Sequence, residues 1–131
     1  MASGTDAFVR ELTDELGEQV VSTDSATITR FGETTLPAGS REPCCALFPA
    51  STAEVQTIVR AANRHRVTLY PVSTGNNIGL GSRAPVRAGC AVLDLGRRMN
   101  RILEIDDALG IAVLEPGVSF QQLHDELARR A

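Results

Sequence analysis

Residues 46–72, which read ALFPASTAEVQTIVRAANRHRVTLYPV, decide the fold. The stretch begins with a short apolar strand that ends at Pro49. Ser51 and Glu54 then have the spacing of a capping box, in which each side chain satisfies a backbone amide at the start of a helix. Residues 67–72 are rich in β-branched and aromatic side chains, which favours a second strand. Strand, helix and strand in this order predict a right-handed βαβ unit within a parallel sheet.

The spacing of apolar residues predicts three helices in all. The helix of the βαβ unit extends to about residue 64 and is expected to bury one apolar face: Val55, Ile58, Val59 and Ala62. A first helix covers residues 6–17, with Thr5 as its N-cap and Gly17 as its stop. A last helix follows the N-cap Ser119 and carries three apolar residues: Phe120, Leu123 and Leu127.

Further strands are predicted on both sides of the chain's midpoint. Residues 91–95 form an apolar strand, and residues 102–105 and 111–114 form a strand pair around a turn. Residues 20–43 show no clear period, so we expect a mostly irregular segment with a short strand near residues 26–29. The predicted fold class is α/β (α+β), with a small parallel β-sheet flanked by helices and left incomplete at an edge.

Composition limits the classes of function. With 131 residues, of which 43% are apolar and 22% charged, the chain suits one globular domain with a modest core. A net charge of −3 gives no electrostatic reason to expect binding to nucleic acid. All 13 basic residues are arginines, which excludes a Walker-type phosphate loop and Schiff-base chemistry. We interpret the arginine clusters as solvated faces: Arg64 and Arg66; Arg97, Arg98 and Arg101; Arg129 and Arg130.

Membrane, disulfide and metal sites are not expected. No stretch approaches the roughly 20 consecutive apolar residues of a membrane span, and the N-terminus is unlike a signal peptide, so we expect a cytoplasmic protein. The odd number of cysteines predicts free thiols. Adjacent Cys44 and Cys45 lack the spacing of a zinc or redox site, and Cys90 lies far along the chain, so no metal site is predicted.

The segment whose composition packing alone does not explain is residues 71–82, PVSTGNNIGLGS. Its glycines permit positive φ angles, so that successive backbone N–H groups can face one anion. Four side chains add donors for phosphate oxygens: Ser73, Thr74, Asn76 and Asn77. An ordinary surface loop is the alternative, but the length of the segment after a βαβ strand favours a functional role.

A Rossmann dinucleotide fold is rejected. Residues 79–84 satisfy the spacing G-x-G-x-x-A. Pro85 and then a strand follow, whereas the Rossmann mechanism needs a helix whose N-terminus faces the pyrophosphate.

Four ordered motifs resemble the FAD-binding domain of the vanillyl-alcohol oxidase and p-cresol methylhydroxylase superfamily (PCMH-type). They are residues 47–51 with the capped helix, the loop at 71–82, residues 92–102 with their VLDL and MNRI segments, and residues 114–119, LEPGVS. The resemblance covers about two thirds of the chain and is strongest with the branch that oxidises para-substituted phenols, such as 4-cresol dehydrogenase and vanillyl-alcohol oxidase.

This resemblance implies FAD as cofactor and names the residues that hold it. The loop is expected to bind the FAD pyrophosphate through Pro71, Ser73, Thr74, Gly75, Asn76, Asn77, Ile78 and Gly79. The turn is expected to lie against the cofactor through Pro116, Gly117 and Val118.

Two departures from the family pattern weaken the expected charge compensation. The residue after Gly75 is often basic in this branch and is Asn76 here, and a usually aromatic position is Leu80. The loop also lacks the His that attaches to flavin in bicovalent relatives, so no covalent link from it is expected.

The resemblance also sets the domain division: residues 1–45 as a helix and irregular lead-in, and residues 46–131 as the first portion of the FAD-binding domain. The family's second subdomain and substrate-bearing cap would lie beyond it. We therefore expect a fragment of an FAD-dependent oxidoreductase that is not catalytic alone. The alternative is a non-catalytic remnant or interaction module that needs a partner chain to complete the fold.

No residue is nominated as an acid, base or nucleophile. His65 lies where a helix C-terminus favours a cation, and His124 has no suitable neighbour in sequence. Asp94 is expected to cap the turn after its strand, and residues 106–107 to form a hairpin turn. For Glu115 two placements stay open, against the cofactor or in solvent.

Overall fold

The computed structural model describes residues 4–33, 41–76 and 83–130. The helices in these ranges are α1 (Gly4–Leu16), α2 (Ser25–Gly32), α3 (Thr52–His65) and α4 (Phe120–Arg130). The strands are β1 (Val21–Ser22), β2 (Cys45–Leu47), β3 (Leu69–Val72), β4 (Ala91–Asp94), β5 (Ile102–Asp106) and β6 (Ile111–Leu114). None of the helices in this described part is long and apolar enough to cross a membrane.

The main sheet has the strand order β1-β2-β4-β3. Strands β2, β4 and β3 are parallel, and β1 pairs antiparallel with β2 at one edge. Strands β2 and β3 are the two that α3 joins, and β4 is inserted between them. The predicted fold class is confirmed: a mixed α/β fold with a small, mostly parallel sheet.

Apolar side chains cover both faces of this sheet. On one face, α1 and α3 pack against alternate strand residues through a core that includes Phe8, Leu12, Leu47, Ile58, Ala61 and Leu93. The residues between them point to the other face, where Phe31 of α2 and Phe48 pack with Ala46, Val72 and Val92. A strand buried on both faces reads as continuously apolar, which explains the run in β4.

The capping box predicted for α3 is present with one difference. The Ser51 hydroxyl accepts a hydrogen bond from the Glu54 backbone amide at 3.2 Å. The Glu54 carboxylate accepts from the backbone amide of Ala50, at 2.8 Å, one residue before the N-cap. The helix ends at Arg66, whose φ of 56° is left-handed. The chain therefore leaves α3 in the conformation that closes many helices.

For residues 21–32 the prediction is wrong, because β1 and α2 lie where irregular chain and a short strand near 26–29 were expected. Residues 34–40 of the predicted segment lie outside the described residues. Asp24 caps α2, and its carboxylate accepts from the Thr27 amide at 2.9 Å. That bond lowers the pKa of the Asp24 carboxyl below its usual value. The β-branched residues of α2 are poor helix formers, and burial of Phe31 against the sheet outweighs this propensity.

Two details of the predicted helices also need correction. Helix α1 begins at Gly4, so Thr5 lies inside it and is not the N-cap, whereas the stop at Gly17 is confirmed by a φ of 88°. In α3, Val59 is 40% exposed, and Ala61 is buried in its place. The sheet lies against the face that contains positions 58, 61 and 62.

Strands β5 and β6 form a separate antiparallel hairpin, as predicted. The Asp106 carboxylate stabilises the turn by accepting hydrogen bonds from the amides of Ala108 and Leu109, at 3.0 and 2.9 Å. Helix α4 follows, capped by Ser119, whose hydroxyl accepts from the Gln122 amide at 3.2 Å. No residue of α4 is buried against the described part of the chain.

The neighbouring residues Ile58 and Val59 allow a direct test of the packing of α3. Replacing Ile58 by Ala should lower the free energy of unfolding by about 2–5 kcal/mol, because the side chain is fully buried between helix and sheet. Replacing Val59 by Ala should change it by less than about 0.5 kcal/mol. Urea denaturation followed by circular dichroism measures both, and equal losses would contradict this packing.

Candidate functional site

A cleft of about 610 Å³ lies at the carboxyl ends of the parallel strands. Its walls come from α2, from residues that directly follow β2, β3 and β4, and from Arg83. Ligands of open α/β sheets bind outside the carboxyl ends of the strands, and small-molecule sites commonly have volumes of about 300–1,000 Å³. Position and size therefore mark this cleft as the candidate site.

The predicted phosphate loop enters the cleft at its first residues. Ser73 and Thr74, which follow β3, line the wall. A Cβ atom on Gly96 would lie only 2.2 Å from the carbonyl oxygen of Ser73, so the loop backbone passes directly over this glycine. Gly75 has a φ of 73°, a conformation that favours glycine. The loop is thus held close to the end of β4 by backbone contact.

The predicted turn at residues 116–118 is fastened to this loop. The Ser73 hydroxyl donates a hydrogen bond to the carbonyl oxygen of Pro116 at 2.7 Å, across 43 positions of sequence. The Gly117 amide donates to the carbonyl oxygen of Met99 at 2.7 Å. The turn touches the loop but does not itself line the cleft. Two motifs that are distant in sequence therefore meet beside the cleft.

Not every predicted site residue reaches the cleft. Pro71 lies exposed within β3, and Asn76 is exposed beyond the wall, its amide 3.3 Å from the Thr74 hydroxyl oxygen. Val118 is half-buried in the turn. Three further predicted residues lie outside the described residues: Asn77, Ile78 and Gly79.

Glu115 does not face solvent, which was one of the two placements considered for it. It is buried and accepts hydrogen bonds from the Arg101 amide at 2.8 Å and from the Arg101 guanidinium at 2.7 and 3.2 Å. The guanidinium lowers the pKa of the Glu115 carboxyl below its usual value, and the backbone bond adds to this. Ile102 pairs with Leu114, so the hairpin places residues 101 and 115 side by side. The predicted pairing of strands 102–105 and 111–114 could therefore have predicted the contact between Arg101 and Glu115.

The arginines at residues 97–101 are not a simple solvated face, which corrects the sequence interpretation. The Arg97 guanidinium lies 4.5 Å from the centre of the Phe48 ring and lines the cleft. Arg98 donates to the Phe48 carbonyl oxygen at 2.8 Å, and Arg101 pairs with Glu115. Arg97 lies just beyond a parallel strand, where residues face the binding edge, but its place at the cleft depends on a strand order that the sequence did not predict.

Asp94 has the capping role predicted for it. One carboxylate oxygen accepts from the amides of Gly96 and Arg97, at 2.9 and 3.1 Å. This bond fixes the chain reversal after β4, which brings Arg97 to the cleft. The sequence prediction did not name the other side chains that line the cleft: Thr27, Arg30, Phe31, Phe48, Val72 and Arg83.

The histidine at the end of α3 has a structural partner. His65 Nε2 lies 2.7 Å from a Glu11 carboxylate oxygen, and Arg64 also pairs with Glu11. The hydrogen bond with His65 has the larger effect on the Glu11 carboxyl and that with Arg64 the smaller, and both lower its pKa. They tie α3 to α1 on the face away from α2, so His65 acts in packing.

The cysteines are free thiols, as predicted: Cys44, Cys45 and Cys90. The Cys44 and Cys45 sulfur atoms lie 3.9 Å apart. The contact with Cys44 is the main cause of a raised pKa of the Cys45 thiol, and burial is the second cause. Among the described residues, no group of three or more His, Cys, Asp or Glu side chains is placed to hold a metal ion.

Comparison with known proteins gives a consistent family. Residues 43–131 match the FAD binding domain family model. The chain is 45% identical over 108 residues to 1'-carboxy-chondrochloren decarboxylase of Chondromyces crocatus, and these cover 82% of this chain and 20% of that protein. It is 35% identical over 112 residues to the flavoprotein subunit of 4-cresol dehydrogenase [hydroxylating] of Pseudomonas putida, covering 84% of this chain and 21% of that subunit.

Two solved structures resemble the whole described fold. A 4-ethylphenol oxidase from Gulosibacter chungangensis, in complex with isoeugenol, superposes with a TM-score of 0.90 and 32% identity over 99% of this chain and 25% of that one. A p-cresol methylhydroxylase with substrate bound superposes with a TM-score of 0.89 and 31% identity over 97% of this chain and 25% of that one. The chain thus spans between a fifth and a quarter of the length of these relatives.

The contact between Glu115 and Arg101 predicts how stability depends on pH. Because the folded pKa of Glu115 lies below its usual value of 4.5, its contribution is present above that pH and is lost as the pH falls through the folded pKa. Glu115→Gln should lower the melting temperature at pH 7, and this difference should shrink below about pH 4.5.

The exposed carboxylate Glu104 supplies the matched control. Glu104→Gln should leave the melting temperature near that of the wild type throughout the same pH series. A Glu115→Gln difference that is the same at pH 7 and at pH 3.5 would show that the ion pair is not its source.

Proposed function

Since the chain belongs to the family of FAD-binding domains of flavin oxidoreductases, we propose that its loop and turn hold FAD at the carboxyl edge of the sheet. The hydrogen bond from the Ser73 hydroxyl to the Pro116 carbonyl carries this proposal, because it joins the two motifs at one place. The cleft beside them supports the proposal, because its volume is that of a small-molecule site and three arginines line it: Arg30, Arg83 and Arg97.

In this proposal the pyrophosphate lies on the loop. Backbone amides and side-chain donors would bind it at Ser73, Thr74, Gly75, Asn76, Asn77, Ile78 and Gly79. Pro71, which has no backbone N–H, would lie beside them. The turn formed by Pro116, Gly117 and Val118 would lie against the cofactor. The observed close packing of Gly96, Gly117 and the loop backbone supports this placement, because no side chain at residue 96 or 117 stands between the loop and the turn.

The chain's own residues would bind and orient the cofactor. FAD supplies the redox chemistry when it is bound, and the protein supplies position and electrostatics. Glu115, the buried carboxylate nearest the turn, is already paired with Arg101 and is unsuited to act as a base. We therefore propose that this chain alone is not catalytic.

The activity of the whole protein is proposed from its relatives. The names of the similar proteins, 4-cresol dehydrogenase and 4-ethylphenol oxidase, refer to para-substituted phenols. We propose that the parent enzyme oxidises a substrate of this class with FAD. The three free thiols favour a reducing compartment, and on that ground we propose a cytoplasmic location.

We also propose that residues 46–131 are the first portion of the FAD-binding domain, with residues 1–45 as a lead-in. The lead-in packs on the same body, since α1 contacts α3 and β1 extends the sheet. The remaining portion would come from a further stretch of polypeptide, in this chain or in a partner chain.

Exposed apolar side chains support such a further stretch. On the hairpin and α4 the uncovered residues are Leu103, Leu109, Ile111, Val113, Leu114, Phe120 and Leu127, and Phe120 is 86% exposed. Contiguous exposed apolar area marks interaction sites in soluble proteins. If no FAD binds, this uncovered surface favours the alternative of an interaction module that folds fully only against a partner.

Titration of FAD fluorescence with the purified chain tests the loop. We expect weak but saturable quenching, because much of the cofactor stays in water, and we expect Gly75→Val to abolish it. A valine at a φ of 73° is strained, and its Cβ would lie 3.3 Å from Arg83.

Gly89→Val is the matched control, since Gly89 has a φ of 76° and has nothing within 4 Å of its Cβ position. It should quench like the wild type. Equal quenching by Gly75→Val would exclude the loop as the binding element. No quenching by a chain that circular dichroism shows to be folded would exclude autonomous binding and favour the interaction module.

The uncovered surface predicts binding of an apolar dye. The folded wild-type chain should enhance the fluorescence of 8-anilinonaphthalene-1-sulfonate at neutral pH, and Phe120→Ser should reduce this without lowering the melting temperature. Val86→Ser is the control, because Val86 is 69% exposed and lies outside the hairpin and α4. Absence of enhancement in the wild type would contradict an uncovered interaction surface.

A further inference from the structure

A dinucleotide site needs cations that the loop does not contain. Residues 71–76 include no charged side chain, and the protein has no lysine. Each phosphate of a pyrophosphate diester carries a negative charge, and an anion removed from water is costly unless it is paired. Backbone amides and hydroxyls of the loop can donate hydrogen bonds to the phosphates, so a full positive charge at this site has to come from side chains outside residues 71–76.

Arg83 is placed against the loop. A Cβ atom on Gly75 would lie 3.3 Å from both Cδ and Nε of Arg83, so this side chain runs directly past the glycine. Arg83 also lines the cleft. Because Gly75 has no side chain, the Arg83 guanidinium can approach the backbone at the start of the loop.

Two more arginines enter the cleft from an aromatic wall. The Arg97 guanidinium lies 4.5 Å from the centre of the Phe48 ring, and that of Arg30 lies 5.8 Å from the centre of the Phe31 ring. The ring centres are 6.3 Å apart. Cation–π contact holds each guanidinium without neutralising its charge.

The charge of the cleft is uncompensated within the described residues. In that part of the chain, Arg64, Arg98, Arg101, Arg129 and Arg130 form ion pairs with carboxylates, whereas Arg30, Arg83 and Arg97 form none. Asp94 is the single acidic residue of the lining, and one of its oxygens is taken by two backbone amides. Three positive charges against one negative charge leave a surplus that matches the two charges of a pyrophosphate diester.

We infer that Arg83, with Arg30 and Arg97, supplies the cationic half of the pyrophosphate site, and that Arg83 replaces a basic residue within the loop. This inference rests on the proposed function, since FAD is the dinucleotide concerned. Arginine suits the role because its planar fork donates two parallel hydrogen bonds to a phosphate.

Two measurements on the purified chain test this inference. In ¹⁵N–¹H spectra, the Nε–H signals of Arg83, Arg30 and Arg97 should shift on titration with sodium pyrophosphate, while that of Arg60 on α3 should not. Arg83→Gln should weaken FAD binding about tenfold or more, as expected for one lost charge-assisted hydrogen bond. Arg83→Lys should recover part of the affinity.

Arg87→Gln is the matched control, because Arg87 is exposed four residues away and does not line the cleft. Its affinity for FAD should stay within about twofold of the wild type, which corresponds to about 0.4 kcal/mol in binding free energy. Equal effects of Arg83→Gln and Arg87→Gln, or pyrophosphate shifts confined to other arginines, would overturn the inference.

Failure of the proposed function gives a different pattern. If the chain binds pyrophosphate through these arginines but does not quench FAD fluorescence, the inference about the cationic site stands. The proposal that the chain binds FAD by itself is then wrong. A site with this charge should bind pyrophosphate well below about 50 mM. If none of the three arginine signals shifts up to that concentration, the inference is overturned.

Discussion

Three backbone segments meet at Gly96, and the geometry of the site depends on how closely they pack. The loop after β3 crosses the end of β4 so that a Cβ on residue 96 would lie 2.2 Å from the Ser73 carbonyl oxygen. The turn after β6 presses on the same place, where a Cβ on Gly117 would lie 2.5 Å from the Gly96 carbonyl oxygen. Only glycine at both positions allows this approach. The Asp94 cap, the bond between Ser73 and Pro116 and the cleft wall all follow from it.

The part of the fold that the sequence predicted well is held by local interactions. The βαβ unit has its own capping box, a helical period and apolar strands, and each of these signals lies within a few residues. Helix α2 escaped prediction because its signal is not local. Its sequence, SATITRFG, is rich in β-branched residues, and what fixes it is the packing of Phe31 against Phe48, which is distant in sequence, on one face of the sheet. Val59 was predicted as buried in place of Ala61 for a related reason, since only the docked sheet selects which side of an amphipathic helix is covered.

The candidate site divides in the same way. The glycines and hydroxyls of the loop, and the turn at residues 116–118, could be proposed from the sequence because their residue types and order are distinctive. The arginines of the cleft were not, because their role depends on strand order and on a chain that folds back. Arg97 faces the cleft only because β4 lies between β2 and β3, and Arg83 only because the chain returns past Gly75. Solvated and ligand-facing arginines look alike in sequence.

The exposure of the arginines in the cleft determines how the cleft responds to dissolved salt. Arg30, Arg83 and Arg97 are all exposed, so dissolved ions reach their charges. Screening at about 0.15 M reduces the reach of exposed charges to about 8 Å. The positive field of the cleft therefore weakens as ionic strength rises, and any anion that it attracts must compete with dissolved salt.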